Sequence, residues 1–519
     1  MGKILPFGEW LPDQPAFANP GNVTTLNCFP RTKGSYTAIP TPVPNSNVLP
    51  AQVCGSYAYR DPTGTVFNFA ATAQHLYLQS TGNPDFGDVS GPSAPYNTEA
   101  PPDGFWAMTS YGNRIIATNY DDPIQTYLVG TDSQFSDLSS AAPRARYCCV
   151  IRDFLMVANV YDAADGPVPY RVRWPAIGNP TNWPPVGSDA AIELQSDQQD
   201  LVQTDLGDIV GITGGHLSAA DGAIFCERGI WRVAYAGSPA IFDFAVAEGS
   251  SGSPSPLSII ERRLVSGSGP SLAVDYFLGN DGFYTFDGSS CVPIGAQKVD
   301  RTFFNDLDTH FLNVVQGAYL PNQRIVIWFY HGRQNNGHYN KALAFNWELN
   351  QWAPVDLTAT PVDWVTGSTY STAGYTLDQL DALGPLDSLP FSLDSRAWTS
   401  GQQILSWFDV NHVQNYVTGP SMRAVVETGE QQLFPGRRAR ITSTRPIADS
   451  VVPVSIAVGA REMTRLPVVY QLAVPENIIG DCPQRTTGRY VRFQMVVPAG
   501  ANFEHLQGID VSAVPEGVR

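Results

Sequence analysis

The stretch DYFLGNDGFYTFDG (residues 275–288) contains two short apolar strands on either side of a polar turn, Asn280-Asp281-Gly282. Asn, Asp and Gly accept the positive φ angles that tight hairpin turns require, so we expect such angles in this turn. The stretch therefore predicts an antiparallel β-hairpin.

Similar paired strands recur on both sides of this hairpin, from about residue 56 onward. The clearest are YCCVIRDFLMVANV (147–160), AIFCERGIWRVAY (223–235), VVQGAYLPNQRIVIWFYHG (314–332) and KALAFNWELNQWAPV (341–355). Their predicted turns lie at Arg152-Asp153, Glu227-Arg228-Gly229, Pro321-Asn322 and Glu348-Leu349-Asn350. Weaker examples are VFNFAATAQHLYLQS (66–80) and FWAMTSYGNRIIATNY (105–120).

The spacing of these hairpins indicates a repeat. Phe67, Trp106 and Tyr147 lie about 40 residues apart, and Asp275 and Gln316 repeat that interval, which is typical of four-stranded propeller blades. The gap from Tyr147 to the unit that begins near Ile209 is longer, so that blade carries an insertion or the gap covers a degenerate blade. The sequence has neither a WD nor a kelch signature. A set of separate β-sandwiches is the alternative.

Four segments follow from this pattern. Residues 1–55 are rich in Pro, Asn and Thr and predict an extended N-terminal arm that lies on a neighbouring domain or subunit. Residues 56–374 form the β-propeller. Residues 375–401 repeat the pair Leu-Asp and are interpreted as a connector whose leucines anchor it on the propeller. Residues 402–519 return to strands and predict a C-terminal, β-sandwich-like domain. The fold class is all-β.

The charge argues against a nucleic-acid-binding module. The formal net charge is −17, whereas gripping nucleic acid needs clustered Lys and Arg. A wall that DNA slides past should instead repel phosphate. Arg also far outnumbers Lys, since only Lys3, Lys33, Lys298 and Lys341 are present. This skew indicates protein interfaces or, equally well, GC-rich codons.

The seven cysteines are widely spread, with no C-x-x-C motif and no His at a metal-ligand spacing. We interpret them as small buried hydrophobic side chains, with neighbouring Cys148 and Cys149 on opposite faces of one strand. The N-terminus lacks a signal-peptide core, and no apolar run is long enough to span a membrane. We expect synthesis and folding in a cytoplasm.

Catalytic motifs are scarce. No phosphate-binding loop, H-E-x-x-H or G-x-S-x-G motif occurs, and residues 249–253 (GSSGS) only approach the last and predict a flexible loop. His331 and His338 flank a polar turn but are a poor candidate for a metal site. Asp121 with Asp122, and Asp306 with Asp308, could serve acid–base chemistry or bind calcium, but surface turns explain them better. We predict no catalytic residue, no metal site and no cofactor.

A propeller glycosidase is the main enzymatic alternative, since its site would gather several carboxylates and arginines in the central channel. Residues 279–286 (GNDGFYTF) are faintly similar to the Asp-box turn of sialidases, S-x-D-x-G-x-x-W. Gly replaces the Ser, Phe replaces the Trp, and no second copy is present. A plain hairpin turn explains the segment.

Several stretches along the whole chain resemble the tail nozzle (tail hub, or packaged DNA stabilisation) proteins of short-tailed bacteriophages. They are GEWLPDQPAFANPGNVTTLNCFP (8–30), GSYTAIP (34–40), DGAIFCERGIWRVAY (221–235), FNWELNQWAPV (345–355), LDSLPFSLDSRAW (386–398) and the ending GRYVRFQMVVPAGANFEHLQGIDVSAVPEGVR (488–519). The match is diffuse, and residues 386–398 and 488–519 are its most specific parts.

The resemblance implies a non-enzymatic, hexameric ring in the virion tail, below the head-to-tail connector. Its partners would be the connector, tail fibres or spikes, and the tail tip or needle. The ring would retain packaged DNA and conduct it during ejection without specific binding, and assembly would occur in the host bacterial cytoplasm. The residues that line the DNA channel and the blade count are not predicted. The alternatives are a glycan hydrolase or glycan-binding propeller and a cellular propeller scaffold.

Overall fold

The computed structural model describes residues 2–99, 101, 104–202, 205–216, 218, 221–264, 272–370 and 403–517. These residues form an all-β protein, as the hairpins predicted, with a β-propeller and a β-sandwich. The N-terminal arm contributes five strands: β1 (Gly2–Pro6), β2 (Asn22–Leu26), β3 (Cys28–Thr32), β4 (Ser35–Ala38) and β5 (Pro40–Val48).

Within the described residues the propeller has seven four-stranded antiparallel blades, six of them built from consecutive strands. Blade 1 comprises β6 (Val53–Arg60), β7 (Val66–Thr72), β8 (Leu76–Ser80) and β9 (Gly87–Asp88); blade 2 comprises β10 (Ala107–Tyr111), β11 (Arg114–Thr118), β12 (Gln125–Leu128) and β13 (Ser136–Asp137). Blade 3 comprises β14 (Arg144–Ile151), β15 (Phe154–Asp162), β16 (Gly166–Trp174) and β17 (Asp197–Asp200), with helix α1 (Asp189–Glu193) before the last strand. Blade 4 comprises β18 (Ile209–Gly214), β19 (Asp221–Cys226), β20 (Ile230–Gly237) and β21 (Ile241–Glu248).

The remaining blades include the short helical segments of the propeller. Blade 5 comprises β22 (Ile260–Leu264), β23 (Leu272–Leu278), β24 (Phe283–Phe286) and β25 (Cys291–Pro293), preceded by a 3₁₀ turn (Pro256–Ser258) and followed by helix α2 (Asp300–Asp306) and a 3₁₀ segment (Thr309–Val314). Blade 6 comprises β26 (Gln316–Leu320), a 3₁₀ turn (Pro321–Gln323), β27 (Ile325–Tyr330), β28 (Lys341–Asn346) and β29 (Gln351–Asp356). Blade 7 comprises β30 (Val362–Tyr370), β31 (Gln403–Asp409), β32 (Val413–Ser421) and, from the arm, β5.

Blade 7 closes the ring. Its outermost strand is β5, which pairs with β32 through Val413↔Val48 and Tyr416↔Val43, and its first strand, β30, contacts β6 of blade 1. The propeller therefore includes residues 40–48 and extends to Ser421, which corrects the predicted boundaries at residues 55, 374 and 402. Residues 371–402 lie outside the described residues, and so does the predicted anchoring of the 375–401 segment. The described strands on either side of that segment, β30 and β31, belong to one blade.

The predicted period of about 40 residues is wrong in detail. The first strands of the blades begin at unequal intervals, mostly longer than 40 residues, at Val53, Ala107, Arg144, Ile209, Ile260, Gln316 and Val362. The predicted hairpins occupy different positions in their blades: 147–160 holds the first two strands of a blade, whereas 223–235 and 275–288 hold the second and third. The long gap after Tyr147 is an insertion in blade 3, around α1.

The hairpin turns form where they were predicted, but one has a different geometry. Gly279 N–H donates to Gly282 O at 2.8 Å, and none of residues 280–282 has a positive φ. Position 282 requires glycine for another reason, because a Cβ atom there would lie 2.5 Å from Oδ2 of Asp300. The close approach of Asp300, and not the turn, requires glycine here.

The sandwich consists of two six-stranded sheets that share one core. Its C-terminal strands are β33 (Ala424–Thr428), β34 (Arg438–Ala448), β35 (Ser455–Arg461), β36 (Val469–Tyr470), β37 (Val474–Pro475), β38 (Cys482–Gly488), β39 (Tyr490–Val497) and β40 (Leu506–Glu516). One sheet has the order β3-β4-β40-β34-β38, with β1 also on β40; the other has the order β2-β33-β39-β35-β36, with β37 also on β35. The arm thus supplies strands to both sheets.

The arm also joins the sandwich to the propeller. Asn27 lies between them: its N–H donates to Pro354 O at 3.1 Å, its Oδ1 accepts from Asp356 N at 2.8 Å, and its Nδ2 donates to Arg423 O at 3.1 Å. The Nδ2 group of Asn346 donates to Pro30 O at 3.1 Å. These contacts place the predicted extended arm on a neighbouring domain of its own chain. In the described part of the chain, no helix is long and apolar enough to cross a membrane.

Candidate functional site

The centre of the propeller contains a small cavity, which we call the axial pocket. Gln52, Gly104, Leu257 and Val314 line it from just before the first strands of blades 1, 2, 5 and 6, and Asp363 lines it from the first strand of blade 7. Five blades thus meet around a volume of about 70 Å³, enough for a few water molecules.

Apolar side chains also pack beside the axial pocket. Phe105 and Leu257, which precede blades 2 and 5, pack against the buried cluster that includes Trp364 and Phe408 of blade 7. The indole Nε1–H of Trp364 also donates to Ser56 Oγ of blade 1 at 2.9 Å. These contacts join the segments before blades 2 and 5 to blades 1 and 7.

Asp363 is the carboxylate in the described lining of the axial pocket. Its side chain is 3% exposed, His338 Nδ1 is hydrogen-bonded to Oδ1, and His412 Nδ1 lies 3.7 Å from Oδ2. Burial raises the pKa of the Asp363 carboxyl, although the two histidines oppose that effect. Glycoside hydrolysis of the usual kind needs two carboxylates across the scissile bond. The described lining supplies one.

His331 and His338, the pair singled out by the sequence, both line this pocket but have different partners. The His331 ring stacks on Phe311 with centroids 4.2 Å apart, and lies 4.6 Å from the ring of Tyr339. Burial lowers the pKa of His331 to about 4, which keeps the imidazole neutral near pH 7. Among the residues described, no three or more His, Cys, Asp or Glu side chains are placed to hold a metal ion.

The acidic pairs from the sequence serve local structure. Asp122 accepts hydrogen bonds from Asn97 N at 2.7 Å and from Asn119 Nδ2 at 2.8 Å. Asp306 accepts from Lys341 Nζ at 2.7 Å, and Asp308 accepts from Asn335 Nδ2 at 3.1 Å. Neither pair points into the axial pocket.

The sequence predicted a flexible loop at the GSSGS segment (249–253), and the last two residues of this segment, Gly252 and Ser253, are buried. Ser253 is fully buried, and its hydroxyl donates to Leu278 O at 2.9 Å. A Cβ atom on Gly252 would lie 2.4 Å from the backbone nitrogen of Arg228, so the glycine allows close packing against the turn of the blade 4 hairpin. In the GNDGFYTF segment, Asp281 accepts from the Tyr284 hydroxyl at 2.8 Å, within a hairpin turn as predicted.

One buried hydrogen-bonded pair, His216 and Asp275, was not predicted from the sequence. His216 Nε2 is 2.6 Å from Asp275 Oδ2, and the Thr213 hydroxyl donates to the same oxygen at 2.6 Å. Burial acts to lower the pKa of His216, but the Asp275 carboxylate overrides it and raises that pKa. The pair joins blade 4 to blade 5. No local motif could have found it, because the two residues come from different blades.

All seven cysteines are free, and six are buried, which confirms the prediction of buried side chains for those six. Cys148 and Cys149 belong to two different hydrophobic clusters, so they do point to opposite faces of β14. Burial raises the thiol pKa of Cys54 and Cys148 to about 12. These thiols are therefore protonated and poor nucleophiles at neutral pH.

Comparison with known proteins does not identify a family for this chain. No protein-family model matches the sequence, and no curated protein matches it. Among solved structures, the N-terminal domain of Nup159 aligns at 11% identity and a TM-score of 0.32, over 56% of this chain and 74% of that one. A Penicillium chrysogenum alpha-L-arabinanase complexed with arabinobiose aligns at 10% identity and 0.34, over 57% and 94%. The computationally designed protein Ika8 aligns at 7% identity and 0.30, over 55% and 69%.

Proposed function

We propose that this chain is a structural subunit of a bacteriophage tail nozzle. It would form a ring of six copies, as the resemblance implies, below the head-to-tail connector. The ring would retain packaged DNA and conduct it during ejection. Its other partners would be tail fibres or spikes and the tail tip or needle, and it would assemble in the host cytoplasm before it becomes part of the virion tail.

The observation that carries the proposal is the way in which the arm joins the two domains. Strands β1 to β5 enter both sheets of the sandwich and the last blade of the propeller. Separating the domains would therefore expose Phe29, which is buried between blades 6 and 7, and break the hydrogen bonds of Asn27 to Pro354 and Asp356. A block of this kind suits a load-bearing ring subunit better than an enzyme that opens and closes around a substrate.

The axial pocket and the charge agree with this role. The axial pocket of about 70 Å³ is far smaller than a DNA duplex, so in this proposal the DNA passage lies between copies and not through one propeller. The formal net charge of −17 would make the wall of that passage repel phosphate, so that a moving duplex is not held. The resemblance to nozzle proteins over six stretches of sequence points the same way.

Templated assembly tests the proposal. The purified chain would be mixed with the head-to-tail connector of the same phage and imaged by electron microscopy. We expect closed rings on the connector, and the chain alone serves as the control. A chain that stays monomeric with connector present, and that cleaves members of a glycan panel, would favour the hydrolase instead.

The variant Asp363→Asn sharpens the distinction, because it removes the carboxylate of the axial pocket and keeps its size. A nozzle subunit should assemble on the connector as the wild type does. Loss of a glycan-cleaving activity in this variant would identify a catalytic site and contradict the proposal.

A further inference from the structure

Exposed apolar side chains are concentrated in one part of the sandwich. Of the nineteen large apolar side chains exposed in the described chain, nine lie between residues 451 and 479. Leu472 is 91% exposed, Ile479 is 72% exposed, and Ile478 is fully exposed. We call residues 462–481, together with Val451 and Val452, the apolar edge. Clusters of this kind on soluble proteins mark interaction sites.

The apolar edge is also an open edge of a sheet. The short strands β36 and β37 pair with β35 through Gly459↔Tyr470 and Ser455↔Pro475, and within the described residues no strand pairs with their other side. Natural proteins usually protect such edges with charges or cover them. Here the edge carries apolar side chains instead, so it is suited to being covered by a partner.

The loop that begins the apolar edge is held in place before any partner arrives. Arg461 Nη1 donates to Leu466 O at 2.8 Å, and Arg461 Nε donates to the buried Glu430 Oε1 at 2.6 Å. The Tyr470 hydroxyl donates to Glu427. Because the loop is already ordered, docking would cost less conformational entropy.

The charges on the apolar edge permit a second copy of this chain as the partner. Two copies that each carry −17 repel one another, so they can meet only where carboxylates are sparse or neutralised. On the apolar edge, Glu462 is paired with Arg438 at 2.8 Å and Asp481 with Arg445 at 3.1 Å, while the charge of the exposed Arg465 balances that of the remaining carboxylate, Glu476. The apolar edge is therefore a place where acidic copies can touch.

The sheet that carries the apolar edge has β2 at its opposite edge, and the surface beside β2 is suited to bind a partner. A concave pocket of about 350 Å³ lies there, lined by the apolar side chains of Trp10, Leu26 and Leu343 and by two carboxylates, Asp306 and Asp356. Lys341 is paired with Asp306, at 2.7 Å. An excess carboxylate in the pocket complements Arg465 on the apolar edge.

A projection and a pocket on different surfaces of one chain give a head-to-tail contact, which closes into a ring or continues as a filament. We propose that the apolar edge of one copy docks in the β2-side pocket of the next copy, with apolar side chains such as Leu472 in the pocket. This inference names the contact within the ring and rests on the proposed function.

Photo-crosslinking tests the contact in the full chain. A benzophenone amino acid would replace Leu472, and isotopically labelled and unlabelled chains would be mixed so that crosslinks between copies can be recognised. We expect crosslinks to peptides of the other copy that contain residues 10–26 or 343–356. Val186, an exposed residue next to blade 3, is the matched control position and should give no such product.

Other results overturn the inference. They are the absence of any product between copies at about 0.5 mM chain, where even weak contacts are populated, crosslinks from one apolar edge to another, and crosslinks only to a different protein.

The variant Leu472→Asp separates this inference from the proposed function. Because Leu472 is almost fully exposed, we expect its Tm to stay within about 2 °C of the wild type. We expect association between copies to weaken at least about tenfold. Rings that form normally on the connector with this variant would overturn the inference and leave the nozzle standing. The expected crosslinks without closed rings would support the contact and contradict the nozzle.

Discussion

Cys28 and Phe29, adjacent on strand β3, are buried in two different hydrophobic cores. The Cys28 side chain lies in the core of the sandwich, among residues such as Leu506. Phe29 lies on the other side of the strand, in the core between blades 6 and 7 with Leu320 and Val417. Since successive side chains of a strand point to opposite faces, one arm strand can belong to both domains. The stability of each domain should therefore depend on the other.

Truncating Phe29 tests this coupling. Phe29→Ala leaves a cavity in the propeller core, and we expect the free energy of unfolding to fall by about 3–5 kcal/mol. Because the strand also belongs to the sandwich, both domains should unfold in one shifted transition. Urea denaturation followed by tryptophan fluorescence and by circular dichroism would measure it. Val48→Ala, at an exposed position of the same arm, should change stability by less than about 0.5 kcal/mol. Two separate transitions would contradict the coupling.

The contact between blades 6 and 7 gives a second prediction. The buried Gln316 side chain donates from Nε2 to Val365 O and accepts from Val365 N at Oε1, both at 2.9 Å. Gln316→Ala leaves both backbone groups without these partners, and we expect a loss of about 2–4 kcal/mol. Gln323→Ala, at an exposed turn of the same blade, is the control and should be nearly neutral. If both variants unfold at the same urea concentration, the side chain does not hold these blades together.

Sequence patterns predicted what is local. The hairpin turns at Arg152-Asp153 and Glu227-Arg228-Gly229 and the opposite faces of Cys148 and Cys149 were all predicted from neighbouring residues. Each depends on turn chemistry or on the two-residue period of a strand. Such signals predict paired strands and the all-β class, but they do not show which position a strand takes within its blade.

What the sequence did not predict depends on contacts between distant residues. The pairing of β5 with β32 joins residues near 45 to residues near 415. Nothing in the proline-rich sequence of the arm indicates which strand β5 pairs with. Likewise, Asp363 is brought beside His338 and His412 by the closure of blades 6 and 7. The axial pocket is a product of the ring and has no linear motif.

Asp300 gives a prediction about pH. Burial raises the pKa of its carboxyl from 3.8 to about 7, and the nearby Asp13 and Asp281 add to that effect. A carboxyl whose pKa is raised on folding stabilises the fold while it is protonated, so this contribution is present below about pH 4 and is lost as the pH rises through about 7.

Asp300→Asn removes this charge but keeps an oxygen for the N–H of Phe283, which donates to Asp300 Oδ1 at 3.3 Å. At about pH 8 we expect the variant to be more stable than the wild type by on the order of 2 kcal/mol, with a smaller difference at about pH 5. Urea denaturation of both proteins at the two pH values would show it. A difference that does not change with pH would mean that Asp300 is ionised throughout.

The salt bridge beneath the apolar edge gives the last prediction. The side chain of Glu430 is fully buried. Arg461 is its closest cation, and Arg492 Nη2 lies farther away, 3.4 Å from Oε2 of Glu430. Arg461→Met leaves a buried carboxylate with only that weaker partner, so we expect a loss of about 3–5 kcal/mol. The same change removes the donor to Leu466 O, and the amides of residues 463–466 should exchange with deuterium faster than those of β39, beyond the general loss of stability. Arg461→Lys keeps the charge but lacks the planar, two-pronged guanidinium, so it should recover part of the stability and little of the exchange protection. If Arg461→Met leaves exchange at 463–466 unchanged relative to β39, the loop is held by its own packing, and Arg461 stabilises the sandwich without ordering the apolar edge.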